Sequence, residues 1–145
     1  MRLTRYSDYS LRVLMYLAIE PDRLATIDEV SKAYGISKAH LTKVAHELGR
    51  AGYLETVRGR GGGLRLAKDL DAISVGEVVR LTEGKMDLVE CFDPQTSTCR
   101  IESACSLHGL LQSALDAFLA TLDECTLADL VARRRKPLAQ ILTLS

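Results

Sequence analysis

The chain has 145 residues, 47% of them hydrophobic, and no formal net charge, which suits one ordinary domain or two small ones with a buried core. No apolar run reaches the ~18 residues of a membrane span, and the opening MRLTRYSDYS lacks the charged-then-apolar layout of a secretory signal, so a cytoplasmic protein without a membrane partner is expected. The zero hides an asymmetry: residues 1–68 carry 12 Lys and Arg against 7 Asp and Glu, and the remainder reverses the ratio, the distribution expected of a phosphate-binding N-terminal half.

From Asp8 to Glu20, Leu11, Val13, Leu14, Leu17 and Ala18 form one broad apolar face, and Pro21 stops the pattern, predicting a first amphipathic helix. Thr26 and Glu29 have the spacing of a capping box and open a second helix at Ile27 that ends at Gly35. Ser37 caps a third, over Lys38 to Arg50, with Leu41, Val44, Ala45 and Leu48 inward and Lys38, Ala39, His40, Thr42, Lys43 and His46 free. Two helices joined by Tyr34-Gly35-Ile36-Ser37 make a helix-turn-helix, whose second helix presents side chains to the major groove.

Tyr53 to Val57 and Leu64 to Leu66 read as strands around the turn Arg58-Gly59-Arg60-Gly61-Gly62-Gly63. The expected fold is therefore mostly α with a small β-wing. Glycines let the wing approach a groove closely, and Arg58, Arg60 and Arg65 supply phosphate or minor-groove contacts. Base readout falls to Lys38, His40, Thr42 and Lys43, with Tyr6 and Tyr9 as either helpers or packing residues. The expected partner is double-stranded DNA.

Ser74 caps a short helix through Val75, Val78, Val79 and Leu81 that ends near Gly84. Three cysteines follow in the stretch CFDPQTSTCRIESAC, spaced Cys91-x7-Cys99-x5-Cys105. That spacing is too loose for a knuckle of CxxC pairs but lets a loop wrap a larger inorganic group, and thiolate-rich sites favour zinc or an iron–sulfur cluster. From Ala104 to Leu122, Leu107, Leu110, Leu111, Ala114, Leu115, Phe118 and Leu122 mark a long amphipathic helix, read as a dimerisation helix because helix-turn-helix proteins address two half-sites as two-fold pairs. Thr126 opens a last helix, the basic run Arg133 to Lys136 reads as its solvated end, and Cys125 reads as a buried structural thiol. The expected divisions are a winged helix-turn-helix over 1–84, a cluster-binding loop over 85–106, and dimerisation and C-terminal helices over 107–145. No nucleophile–base pair is evident and no catalysis is expected.

Across its whole length the chain resembles the iron–sulfur winged-helix repressors typified by IscR and NsrR, and specifically the nitric-oxide-sensing NsrR group. The resemblance rests on MRLTRYSDYSLRVLMYLA, VRGRGGGLRLAK, the three-cysteine loop and FLATLDECTLADLV. It implies a homodimer on an inverted-repeat operator that represses nitric-oxide detoxification genes until its cluster is nitrosylated. It also implies that Cys91, Cys99 and Cys105 hold the cluster, [4Fe-4S] in preference to [2Fe-2S], with Asp8 of the first helix reaching it from the partner subunit. Asp8 also reads as a helix cap or as the ion-pair partner of Arg12. His108 competes for the fourth position, since Cys105-x2-His108 resembles the IscR arrangement of three cysteines and a histidine. The seven-residue first gap departs from that pattern. Alternative readings are an IscR-like regulator of iron–sulfur biogenesis and a regulator stabilised by zinc at Cys91, Cys99, Cys105 and His108.

Overall fold

A computed structural model describes residues 1–142; residues 143–145, the end of the expected 107–145 segment, lie outside the described residues. Among the described residues, five helices start on a hydroxyl cap, at Thr4, Thr26, Ser37, Ser74 and Thr126. Thr4, in extended conformation, accepts a 3.1 Å hydrogen bond from the Ser7 amide and starts α1 (Arg5–Ile19). This is a turn earlier than the Asp8 start that apolar spacing predicts, because the cap satisfies an otherwise orphaned first-turn amide. α2 (Ile27–Tyr34) begins with the complete Thr26/Glu29 capping box and ends on Gly35 at φ 68°, a left-handed position that glycine adopts without steric cost. α3 (Lys38–Arg50) starts at the Ser37 cap. These boundaries are the ones the sequence predicts.

β1 (Leu54–Val57) and β2 (Gly63–Leu66) pair antiparallel, with Leu54 opposite Leu66 and Glu55 opposite Arg65. Tyr53, expected to open the first strand, precedes it and packs in the core. Ala25 bridges to Leu64 through hydrogen bonds of 3.0 and 2.7 Å, so the approach to α2 covers the inner edge of the wing. α4 (Val75–Glu83) runs from the Ser74 cap to Gly84. The cysteine segment follows with 3-10 turns at Glu90–Phe92 and Glu102–Ala104. α5 (Ser106–Asp123) comes next, then α6 (Leu127–Ala132) behind a Thr126/Asp129 capping box, then α7 (Arg135–Ile141). The basic run Arg133 to Lys136 therefore spans the break between α6 and α7 rather than ending one helix. Arg135 there donates to the Ala18 carbonyl at 3.5 Å.

The chain is thus mostly helical with a two-stranded wing, a winged helix-turn-helix. α1 is its axis, packed against α3, α4, α6 and β2. Leu14 and Leu17 of α1, Leu41 and Leu48 of α3, Val78 of α4, and Leu127 and Val131 of α6 are essentially inaccessible to solvent. Each such side chain contributes roughly 1.5–3 kcal/mol of burial free energy. α5 is built differently. Only Leu115 is buried along it, while Leu107 and Leu110 stand 56% and 66% exposed. Its main contact with the body is with α4, where the Arg80–Asp123 ion pair joins the two helices and Gly76 faces Asp123 so closely that a Cβ would overlap it. Among the described residues, no helix is long and apolar enough to cross a membrane.

Candidate functional site

Two surfaces carry the polar chemistry. On α3, Lys38, His40, Thr42 and Lys43 are exposed while Leu41, Val44 and Leu48 anchor the opposite face. The side chains predicted for base readout are therefore presented together at the helix N-terminal half. Their commitments differ. Lys38 pairs with Asp28 of α2, and Lys38 and Lys32 hold the Asp28 carboxyl below the ordinary range. The Thr42 hydroxyl donates to the Lys38 carbonyl at 2.7 Å, which leaves its methyl as the group to offer a thymine. His40 stacks obliquely on Tyr9, with ring centroids 6.0 Å apart.

The wing tip needs its glycines. Gly59 and Gly61 have φ of 95° and 72°, where a side chain would strain the backbone. Arg58 and Arg60 project from this turn, exposed and without an ion pair among the described residues. Arg65 is instead tied across the hairpin to Glu55. It would have to exchange that partner for a phosphate.

One basic residue of this surface escapes the sequence reading. Arg5, with Tyr6 and Tyr9 of α1, and His40, Lys43 and Glu47 of α3, lines a cleft of about 410 Å³. Arg5 belongs to α1 only because Thr4 caps it. The hydroxyl at Thr4, followed by Ser7, was the available signal.

The second surface is the cysteine segment. Cys91, Cys99 and Cys105 line one cavity of about 330 Å³ together with His108, and Val89, Ile101, Leu107 and Leu111 form its apolar walls. Cys91 Sγ lies 3.2 Å from His108 Nδ1, and the His108 ring packs edge-on to Phe92 at 5.2 Å. Desolvation and the adjacent Cys99 thiol push the Cys91 thiol above its usual pKa. Among the described residues, no three His, Cys, Asp or Glu side chains converge tightly enough to hold a single metal ion. Three soft sulfur donors and an imidazole around one apolar-walled space nevertheless have the chemistry of an iron–sulfur cluster site, so the residues fit that group.

Asp8 is not among the residues lining this cavity; within its own chain it is bound to Arg12. Cys125 stands apart at the corner between α5 and α6. It is half-buried, with Sγ 3.6 Å from the Thr126 carbonyl, rather than fully buried as expected, because it lies between the exposed Asp123 and Glu124 and the buried Leu127. Burial raises its thiol pKa as well.

The family profile of Rrf2, iron-dependent transcriptional regulators, matches residues 3–133. The chain belongs to the Rrf2 family. Within it the chain is an NsrR-type regulator: it is 52% identical over 132 residues to the HTH-type transcriptional regulator NsrR of Shouchella clausii, covering 90% of this chain and 89% of that protein. It is likewise 52% identical over 135 residues to the NsrR of Bacillus subtilis, covering 92% of each. The T. potens IscR structure superimposes with a TM-score of 0.76 at 20% identity, over 94% of this chain and 90% of that one. The Rrf2 winged-helix fold is therefore shared across a wide sequence distance.

Proposed function

We propose that this Rrf2 protein is a homodimeric DNA-binding repressor of nitric-oxide detoxification genes, whose cysteine segment holds an iron–sulfur cluster and which leaves an inverted-repeat operator when nitric oxide reaches that cluster. The observation that carries the reading is the convergence of Cys91, Cys99 and Cys105 on one apolar-walled cavity in a chain that also presents the exposed face of a winged helix-turn-helix. The division of labour proposed is DNA reading by residues 1–84, cluster holding by 85–106, and dimerisation by 107–145.

A cluster bound there, proposed as [4Fe-4S], would supply iron able to take up nitric oxide. The protein's own part is specific. The three thiols, deprotonated on binding, hold the cluster, and Val89, Ile101, Leu107 and Leu111 limit the access of water. The exposed Leu107 and Leu110 continue from that wall along α5 and supply the apolar surface that a second copy would cover. In such a dimer the partner's Asp8 is the proposed fourth ligand, a harder donor than thiolate and easier to displace. Its release would change the relation between one subunit's cysteine segment and the other's reading head, and losing the fit of one half-site costs most of specific binding.

A second reading is favoured by one contact. His108 already sits 3.2 Å from Cys91, which supports a fourth ligand from the same chain, a [2Fe-2S] cluster and an IscR-like role. A colourless zinc protein is the third outcome. Anaerobic absorbance with iron and sulfide counts, followed by nitric-oxide titration while DNA binding is monitored, separates them. A coloured protein that bleaches and releases DNA supports the sensor. A cluster indifferent to nitric oxide supports the IscR-like reading, and zinc without colour removes the cluster.

A further inference from the structure

Three helices of this chain begin on a threonine cap, and one of them is incomplete on its own. In α2 and α6 the acid that finishes the capping box lies three residues after the threonine, Glu29 for Thr26 and Asp129 for Thr126. In α1 that position is Ser7, and the acid comes from another helix. Glu83 Oε1 accepts hydrogen bonds from the Thr4 amide at 2.6 Å, the Thr4 hydroxyl at 3.0 Å and the Ser7 hydroxyl at 2.6 Å. Ser7 Oγ also lies 2.6 Å from Thr82 Oγ1, and both Ser7 and Thr82 are buried. The joint is therefore dry on one side and cannot exchange these partners freely for water.

Glu83 is the last residue of α4, an unfavourable place for a carboxylate in its own helix and a favourable one for α1, whose N-terminal dipole it faces. Directly after it come Gly84 and the cysteine segment. Beyond the cap, α1 carries Arg5, Tyr6 and Tyr9 into the cleft shared with His40 and Lys43 of α3. One side chain thus ties the point where the cysteine segment begins to the first turn of the helix that supports DNA reading.

We propose that Glu83 is a positioning residue that couples the cysteine segment to the reading head, by completing the cap of α1 only while α4's last turn is held in place. A shift of the segment at Gly84 pulls this carboxylate from Thr4 and Ser7, and the first turn of α1 loosens. The inference rests on the proposed cluster-holding role for its signal, but not for the cap itself.

The test is amide hydrogen exchange on the full chain, wild type and Glu83→Gln, each cluster-free and reconstituted with iron and sulfide, with DNA affinity measured in the same samples. In cluster-free protein, Glu83→Gln should speed exchange across the first turn of α1 about tenfold, the loss expected of a charged cap, while α3 and α6 amides stay protected. In wild type the same turn should exchange differently in the two states, and in Glu83→Gln this difference and the difference in DNA affinity should both shrink about tenfold. Equal first-turn exchange in both wild-type states, with DNA affinity still responding, overturns the coupling. A wild type that takes up no cluster defeats the proposed function instead, and the cluster-free comparison then decides the cap alone: unchanged exchange in Glu83→Gln overturns it.

Discussion

Asp8 and Arg12 face each other one turn apart on α1, Arg12 Nε donating to Oδ1 at 3.0 Å and Nη2 to Oδ2 at 2.9 Å. Both side chains are nearly half exposed, at 46% and 43%, so the pair contributes only ~0.3–0.5 kcal/mol. Little holds Asp8 back from a stronger partner. Asp8→Ala should therefore leave unfolding of the cluster-free protein within ~0.5 kcal/mol of wild type, while slowing or abolishing release from DNA by nitric oxide. Chemical denaturation and an anaerobic binding titration read the two effects, and release unchanged from wild type would take Asp8 out of the ligand set.

The four cysteines should divide three to one. Replacing Cys91, Cys99 or Cys105 by Ser should remove the visible absorbance of a reconstituted cluster, since each lines the same cavity. Cys125→Ser should retain it. His108→Ala is the informative companion: a retained cluster with normal iron and sulfide content favours Asp8 as fourth ligand, and a lost one favours His108.

Arginines of the wing should differ according to their present partners. Arg60→Ala should weaken operator binding and lower the slope of log affinity against log salt by about one. Arg65→Ala should do less, because Arg65 is already paired with Glu55. Arg5→Ala should behave like Arg60→Ala if the cleft between α1 and α3 lies on the DNA. A salt series of binding titrations gives all three slopes, and an unchanged Arg60→Ala slope would count against the wing as a phosphate contact.

Gly76→Ala probes the seat of α5. The added methyl would overlap the Asp123 carboxylate and come within 2.9 Å of the Asp123 backbone nitrogen, so α5 must move or the side chain must give up Arg80. A loss of about 2 kcal/mol is expected. Thermal unfolding checks it, and wild-type stability would mean that α5 rides loosely on α4.

Tyr34 gives an alkaline signature. Burial pushes its phenol up to about 12, and its hydroxyl donates to the Arg12 carbonyl at 2.9 Å, a bond only the neutral form can donate. The folded pKa lies above the unfolded value near 10. The contribution is therefore complete below about pH 10 and is lost as pH rises towards 12, of order 2 kcal/mol in all. Denaturation curves of wild type and Tyr34→Phe between pH 9 and pH 11.5 should converge as pH increases; parallel curves would show that Tyr34 is not the group responsible.

What could be read from sequence was local. Thr26 with Glu29, Ser37 and Ser74 each sit beside the helix they start, and α2, α3 and α4 begin where the sequence reading puts them. The Thr4 hydroxyl that starts α1 is local as well, but the acid that completes its cap lies 79 positions away, so no capping-box spacing marks this start and apolar spacing alone places it at Asp8. The same holds for the reading surface. Which side chains of α3 face outward follows from its 3.6-residue period, but the capture of Lys38 by Asp28 and of Arg65 by Glu55 depends on where separate elements are brought together. The break between α6 and α7 has a local signal of a different kind: Pro137 in the first turn of α7 has no amide to donate to the Arg133 carbonyl and its ring crowds that carbonyl, so one helix cannot run through Arg133 and Arg134.

α6 has a consequence for anyone wishing to dissect the molecule. Leu127 and Val131 of α6, with Leu142 at the end of α7, complete the same buried cluster as Leu14 and Leu17 of α1, and Leu127 donates its amide to the Ile73 carbonyl at 2.9 Å. A fragment cut after the wing would leave that wall of the cluster open to water. The segment that folds is longer than the segment that reads, and the polypeptide between them is the part that carries the cysteines.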